Sequence, residues 1–275
     1  MYGKLLIMAA SAALVVSTPA NAEGWQTSFS AGIAMTSTNF DLAPLAAAPA
    51  KSEPSVGGFV GFEGTGSAGG MSVSFDGFIE YLGDTEAVFL TGPLHSGVVG
   101  VHAGRDYEAG YFGAFAGLGF FDSYLSASPE TGTIAGLEGV FGIGAGNAFV
   151  QLGYARAVSD SSFNEFIGPV ARVGVSSDLP SGLSLSASIE TGKNTGCVNF
   201  CFYSGEPYYE VTLEMEKDIA PGYGLVGGVS HFQPADWMAS SNSLFIGLRT
   251  AVGSGKKTPS TPRGAFKMTG WAVAS

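Results

Sequence analysis

Met71-Ser72-Val73-Ser74-Phe75-Asp76-Gly77-Phe78-Ile79-Glu80-Tyr81 alternates in character at every step. Met71, Val73, Phe75, Gly77, Ile79 and Tyr81 make one set, and Ser72, Ser74, Asp76, Phe78 and Glu80 make the other. Successive side chains of a β-strand point to opposite faces, so this stretch reads as a strand with an apolar face and a mostly polar one. Its length, about ten residues, is that of a strand crossing an outer membrane. The pattern recurs along the chain. Leu183, Leu185, Ala187 and Ile189 oppose Ser184, Ser186, Ser188 and Glu190. Tyr209, Val211, Leu213 and Met215 oppose Glu210, Thr212, Glu214 and Glu216. Leu244, Ile246, Leu248 and Val252 alternate with Phe245, Gly247, Arg249 and Ala251, with Thr250 alone breaking the apolar set. No helical spacing is sustained downstream of the first residues.

Extending this reading predicts about twelve strands, near 25–37, 56–65, 71–82, 97–105, 109–120, 133–143, 147–157, 166–176, 182–191, 208–217, 222–231 and 242–252. The segments between them alternate strictly in length. Short turns are expected at 66–70, 106–108, 144–146, 177–181 and 218–221; longer loops at 38–55, 83–96, 121–132, 158–165, 192–207 and 232–241. Tight turns at one end and longer loops at the other characterise a membrane barrel, whereas a β-sandwich has no reason to alternate them. The expected fold is therefore all-β, a closed antiparallel transmembrane barrel of about twelve strands, with ten and fourteen as the alternatives.

Composition agrees. Only 13% of the residues are charged, against about 25% in an ordinary soluble domain, and the mean hydropathy is +0.26. The chain holds 42 Gly, 20 Phe and 10 Tyr, yet no long apolar run. Its apolar surface must be dispersed, as strand alternation disperses it. Backbone groups in hydrocarbon find no water, so such a chain crosses a bilayer only as a closed barrel. Trp25, Tyr81, Tyr154, Tyr209 and Tyr223, near strand ends, fit interfacial aromatic girdles.

The N-terminus predicts export. Lys4 precedes the short apolar stretch 5–16, and Ala20-Asn21-Ala22 has the small-x-small form that a signal peptidase cuts. The organisation expected is a signal peptide at 1–22, a barrel at 23–252 and a flexible tail at 253–275, rich in Lys, Pro, Ser, Thr and Gly. The tail is expected on the periplasmic side with the N-terminus. In an exported chain, Cys197 and Cys201 read as a small disulfide loop.

Net charge is −11, unevenly spread. Lys4 lies in the signal, and Lys256, Lys257, Arg263 and Lys267 lie in the tail; the barrel keeps seven basic residues against all 23 acidic ones. Such a body repels anions and suits no nucleic acid. The inward set is expected to be small and polar (Gly and Ser), with the charges Glu63, Asp76, Glu80, His102, Glu138, Arg172, Glu190, Glu210, Glu214 and Arg249. Small inward residues would leave space and charged ones would hold water in it. A narrow passage for small polar solutes with cation preference follows. A non-conducting structural or surface-interaction barrel, plugged by its own side chains, is the competing reading, with Arg172 and Arg249 paired to Glu138 or Glu210.

An enzyme is not expected. The outer-membrane phospholipase run His-Asp-Ser-Asn-Gly and the paired acids of the omptin proteases are absent. His95 beside Ser96, and His231 before Asp236, Ser240, Ser241 and Asn242, are permissive neighbours without a motif. No cofactor, metal cluster or phosphate loop is indicated.

Gly57-Gly58-Phe59-Val60-Gly61-Phe62 and Gly110-Tyr111-Phe112-Gly113-Ala114-Phe115-Ala116-Gly117 resemble the Gly/aromatic strands of small Gram-negative outer-membrane β-barrels and porin-like proteins. The resemblance spans nearly the whole mature chain and carries over no functional residue. It implies an outer-membrane location with long loops outside, lipid and the barrel-assembly machinery as partners, and passive transport of small polar or cationic solutes. The chain departs from that pattern at its end, where Trp271-Ala272-Val273-Ala274-Ser275 replaces a final aromatic residue.

Overall fold

Strand pairing accounts for most of the described residues in the computed structural model, which describes residues 25–40, 54–82, 94–122, 130–158, 165–195, 207–233, 239–252 and 259–267. The expected signal at 1–22 and the Cys197/Cys201 pair lie outside these residues, as does most of each longer connection. Twelve strands follow in order: β1 Gln26–Phe40, β2 Pro54–Ala68, β3 Met71–Leu82, β4 Leu94–Tyr107, β5 Gly110–Asp122 and β6 Glu130–Ile143. The second half continues with β7 Gly146–Val158, β8 Glu165–Leu179, β9 Leu183–Lys193, β10 Pro207–Ala220, β11 Tyr223–Gln233 and β12 Ala239–Val252. Each pairs with its sequence neighbours, and β1 closes on β12 antiparallel, from Thr27 opposite Val252 to Phe40 opposite Ala239. Closure leaves no row of unpaired backbone groups. The count is the twelve expected from the alternation.

Most strands run two to four residues past their predicted ends. Side-chain alternation fades where a strand leaves the apolar layer, but backbone pairing continues: Gly66, Ser67 and Ala68 still oppose Val73, Ser72 and Met71. The 66–70 turn therefore shrinks to Gly69-Gly70, with φ of 60° and 78°. Both residues in the left-handed region make a two-residue hairpin whose twist matches its strands, a conformation only glycine adopts freely. Five tight turns lie at one end of the barrel, beside the start of β1 and the end of β12. The strand ends that lead into the six longer connections lie at the other.

The outer face is a continuous apolar ring. Ile33, Val56, Val101, Leu118, Leu137, Leu152, Val173, Ile189, Leu213, Val229, Leu244 and Ile246, one from nearly every strand, are all exposed. A water-soluble protein does not expose apolar surface around its whole circumference; a lipid-facing one does. Tyr107 and Tyr223 stand near the turn end and Tyr154 and Tyr209 toward the loop end, all exposed. No described helix is long and apolar enough to cross a membrane.

Candidate functional site

The inner face is less small than its glycines suggest. Phe59, Tyr111, Phe115, Phe166, Tyr208, Phe232 and Phe245 point into the barrel and are buried. Glycines beside them are not vacancies. A Cβ built on Gly113 would stand 2.3 Å from the Tyr111 hydroxyl, on Gly174 2.3 Å from the Phe149 ring, and on Gly192 2.5 Å from the Tyr208 ring. Each missing side chain makes room for an aromatic ring lying along the wall. The expected open, small-residue lumen is therefore corrected, because glycine and aromatic residues interlock within a strand and across neighbouring ones.

The larger correction concerns the tail. Residues 259–267 are not a free tail outside the barrel; they lie in its lumen. The Thr261 N–H and hydroxyl donate to Asp76 at 3.0 and 2.7 Å. The N–H groups of Arg263 and Gly264 donate to Glu190 at 3.2 and 2.7 Å. Lys267 pairs with Glu210, and Arg172 donates to the Ser260 carbonyl and hydroxyl at 2.8 and 2.9 Å. The Arg263 guanidinium lies 4.2 Å from the centre of the Phe78 ring. Desolvation lowers the pKa of Arg263, but Glu210, Glu214, Glu80 and Glu190 outweigh it and raise the value above that of an ordinary arginine. Both tail cations described are thus matched to lumen carboxylates.

Local sequence explains how the segment fits. Pro262 precedes a single helical turn at 264–267, in which Phe266 and Lys267 N–H groups reach back to the Arg263 carbonyl. Gly264 passes where nothing larger can: a Cβ there would stand 2.4 Å from the Tyr208 ring and 2.6 Å from Glu190 Oε1. Wall glycines receive the other side chains. A Cβ on Gly100 would meet Thr261 Oγ1 at 1.7 Å, and Cβ atoms on Gly119 and Gly132 would meet the Phe266 ring at 2.4 and 2.7 Å. The segment enters from the turn end and rises, so that Phe266 packs with Phe166, Tyr208 and Phe232 in the loop-side half.

Below Thr261 the wall carries a closed polar cluster. His102 Nε2 lies 2.7 Å from Asp76, and its Nδ1 lies 2.9 Å from both oxygens of Glu138. Tyr111 and Gln151 also donate to Glu138, at 3.1 and 3.0 Å. Each ring nitrogen thus stands within hydrogen-bond distance of a carboxylate oxygen. A histidine so engaged has no free nitrogen to serve as a base. Toward the turn end a cavity of about 430 Å³ remains, lined among others by Glu63, Glu214, Glu216, Arg249, Ser260 and Arg263.

The ten charged residues read as inward from the sequence all stand on the face opposite the apolar ring, but in separate groups. Asp76, His102 and Glu138 meet in the cluster above. Glu190 and Glu210 hold the C-terminal segment, Glu80 stands within electrostatic reach of Arg263, and Arg172 binds Ser188 as well as Ser260. Glu63 accepts from Ser28 and Glu214 from Ser186, each at 3.4 Å. Arg249 pairs with Glu216, not with Glu138 or Glu210. Sequence reasoning missed Tyr111, Gln151, Tyr208, Thr261, Arg263 and Lys267. The one available signal was charge: the basic residues absent from the barrel body are concentrated in the tail.

His231 is exposed on the outer face, its Nδ1 2.9 Å from Asn242 Oδ1, while Ser241 is buried on the inner face. His95 packs beside the Tyr81 ring, and Asp236 lies outside the described residues. No group of three or more His, Cys, Asp or Glu among the described residues is arranged to hold a metal ion.

No family model matches this chain, and no curated protein matches it in sequence. Its fold is similar to the translocator domain of the autotransporter NalP from Neisseria meningitidis, with a TM-score of 0.51 and 11% identity over 90% of this chain and 96% of that one. It is also similar to a deltaS2 mutant of the monoaromatic hydrocarbon channel TodX, with a TM-score of 0.50 and 8% identity over 87% and 93%. At such identities the likeness is one of fold alone. The fold is that of outer-membrane β-barrels.

Proposed function

We propose that this chain is a bacterial outer-membrane barrel whose narrow, acid-lined passage is held closed by its own C-terminal segment. The observation that carries the reading is the seating of residues 259–267 on Asp76, Glu190 and Glu210. Withdrawing the segment removes two cations and three N–H donors from those carboxylates. Buried carboxylates without partners draw in water, and an acidic wet lumen favours cations. The solutes are accordingly small, polar and cationic. Tight turns face the periplasm in this reading and the long connections face outward, with lipid and the assembly machinery as partners. Catalysis is not part of it: His102 has both nitrogens engaged, and His231 contacts an amide rather than a nucleophile.

Planar-bilayer recording of the refolded full chain tests it. The full chain should be silent, and the double substitution Arg263→Ala with Lys267→Ala should give small cation-selective steps. A second reading, a non-conducting structural barrel, is favoured by the packed Phe166, Tyr208, Phe232 and Phe266 cluster. Silence from both proteins, with normal heat-dependent gel mobility, would establish that reading instead.

A further inference from the structure

The barrel does not need the segment in order to close. Its sheet is complete through β1 and β12, and the bonds reported above between the segment and the wall run to side chains, chiefly carboxylates. The contact has the character of a ligand in a site. Two wall carboxylates, Asp76 and Glu190, accept backbone N–H groups, and Glu210 accepts a lysine. Phe78 supports a guanidinium. Gly100 and Gly117 make a recess for Thr261, and Gly119 and Gly132 make one for Phe266. Tyr208 and Glu190 together exclude any side chain at position 264. The site has an open approach, because the turn-side cavity reaches Pro259, Ser260 and Arg263.

We propose that the loop-side lumen is a peptide-binding site, and that residues 259–267 are its exchangeable resident. The chemistry that it selects is a short segment with a hydroxyl residue, an arginine two positions on, glycine immediately after, then an aromatic residue and a lysine. The peptide lies with its N-terminal end toward the tight turns. A free peptide of this kind, from a second copy of this chain or supplied in solution, displaces the resident. The inference rests on the reading of the segment as a removable stopper, and adds that the seat left behind is sequence-selective.

The test begins from the folded full chain. A site for a specific protease is placed within residues 253–258, the protein is refolded in detergent, and the connection is cut afterwards, so folding never depends on a truncated barrel. A fluorescent peptide with the sequence of residues 259–275 is then added and its anisotropy followed. Saturable uptake is expected, with release of the resident. Peptides carrying Gly264→Val, or Arg263→Ala with Lys267→Ala, should bind at least about tenfold more weakly, the effect of losing one strong contact. A resident that never exchanges, or uptake of a scrambled peptide equal to that of the native one, would overturn the proposal. Conductance recorded on the same cut sample separates the two claims. Exchange without conductance refutes the passage and leaves the peptide site, whereas conductance without selective uptake refutes the site alone.

Discussion

Toward the long connections, Glu190 and Glu210 are each 3% exposed, and both are met by donors of the C-terminal segment. Toward the tight turns, on the same inner face, Glu63 is exposed to a cavity and its contact to Ser28 is 3.4 Å. The wall of both halves is one sheet with one alternation. The difference is made by nine residues that are not part of the sheet. Where the segment reaches, buried carboxylates have partners that make their desolvation tolerable. Toward the turns a cavity of about 430 Å³ remains, and there Glu216 is met by Arg249 from the wall itself. The state of each half of the lumen is therefore a property of the chain's end as much as of its strands.

If the buried carboxylates depend on their partners, substitutions at them should cost far more than at the exposed Glu63. Glu138→Ala strips partners from His102, Tyr111 and Gln151 together. It should destabilise the barrel by about 3–5 kcal/mol, the cost of leaving one member of a buried charged pair alone, as read from unfolding in denaturant. A loss of that size for Glu63→Ala would erase the distinction between the halves. Glu190→Gln keeps an acceptor oxygen but loses the charge facing the N–H groups of Arg263 and Gly264. About 1–3 kcal/mol should go, visible as faster amide exchange at those two residues while exchange in β9 is unchanged.

Lys267→Ala should loosen the upper end of the segment alone. Glu210 is left without its lysine but keeps the field of Arg263 and Arg172, so a cost of about 1–2 kcal/mol is expected, measured as an increase in exchange at Phe266 that exceeds the increase at Thr261. Smallest of all should be Glu63→Gln, within about 0.5 kcal/mol, with no change in exchange anywhere in the segment. A substantial response there would mean that the turn-side half is also closed.

Much of this architecture could be read from the chain. Period-two alternation set apart the faces of β3, β9 and β10, and the strict exchange of short and long connections supplied the count and the two ends. Those signals are local, each a repeat over about ten residues. The packing of the lumen is not local. Gly100 and Gly117 read as space because a glycine gives no sign of which side chain will use its room; here the occupant is Thr261, far along the chain. Residues 259–267 have no periodicity, and two prolines with a glycine read as a loose tail. Their order comes from Asp76, Glu190 and Glu210 on three different strands, which no window of sequence brings together.

The central claim, that the chain's own end occupies its lumen, has a direct test in a covalent bond. A Cβ on Gly117 would stand 2.9 Å from Thr261 Cγ2, where the sulfur of a cysteine at 261 would stand, within reach for a disulfide. In full chain carrying Gly117→Cys and Thr261→Cys, with Cys197 and Cys201 replaced by serine, mild oxidation after folding should form a cross-link quickly. It would show as a reducible shift in mobility on a denaturing gel. If that protein folds with normal heat-dependent mobility and the two thiols stay free, the segment is not in the barrel and the account fails.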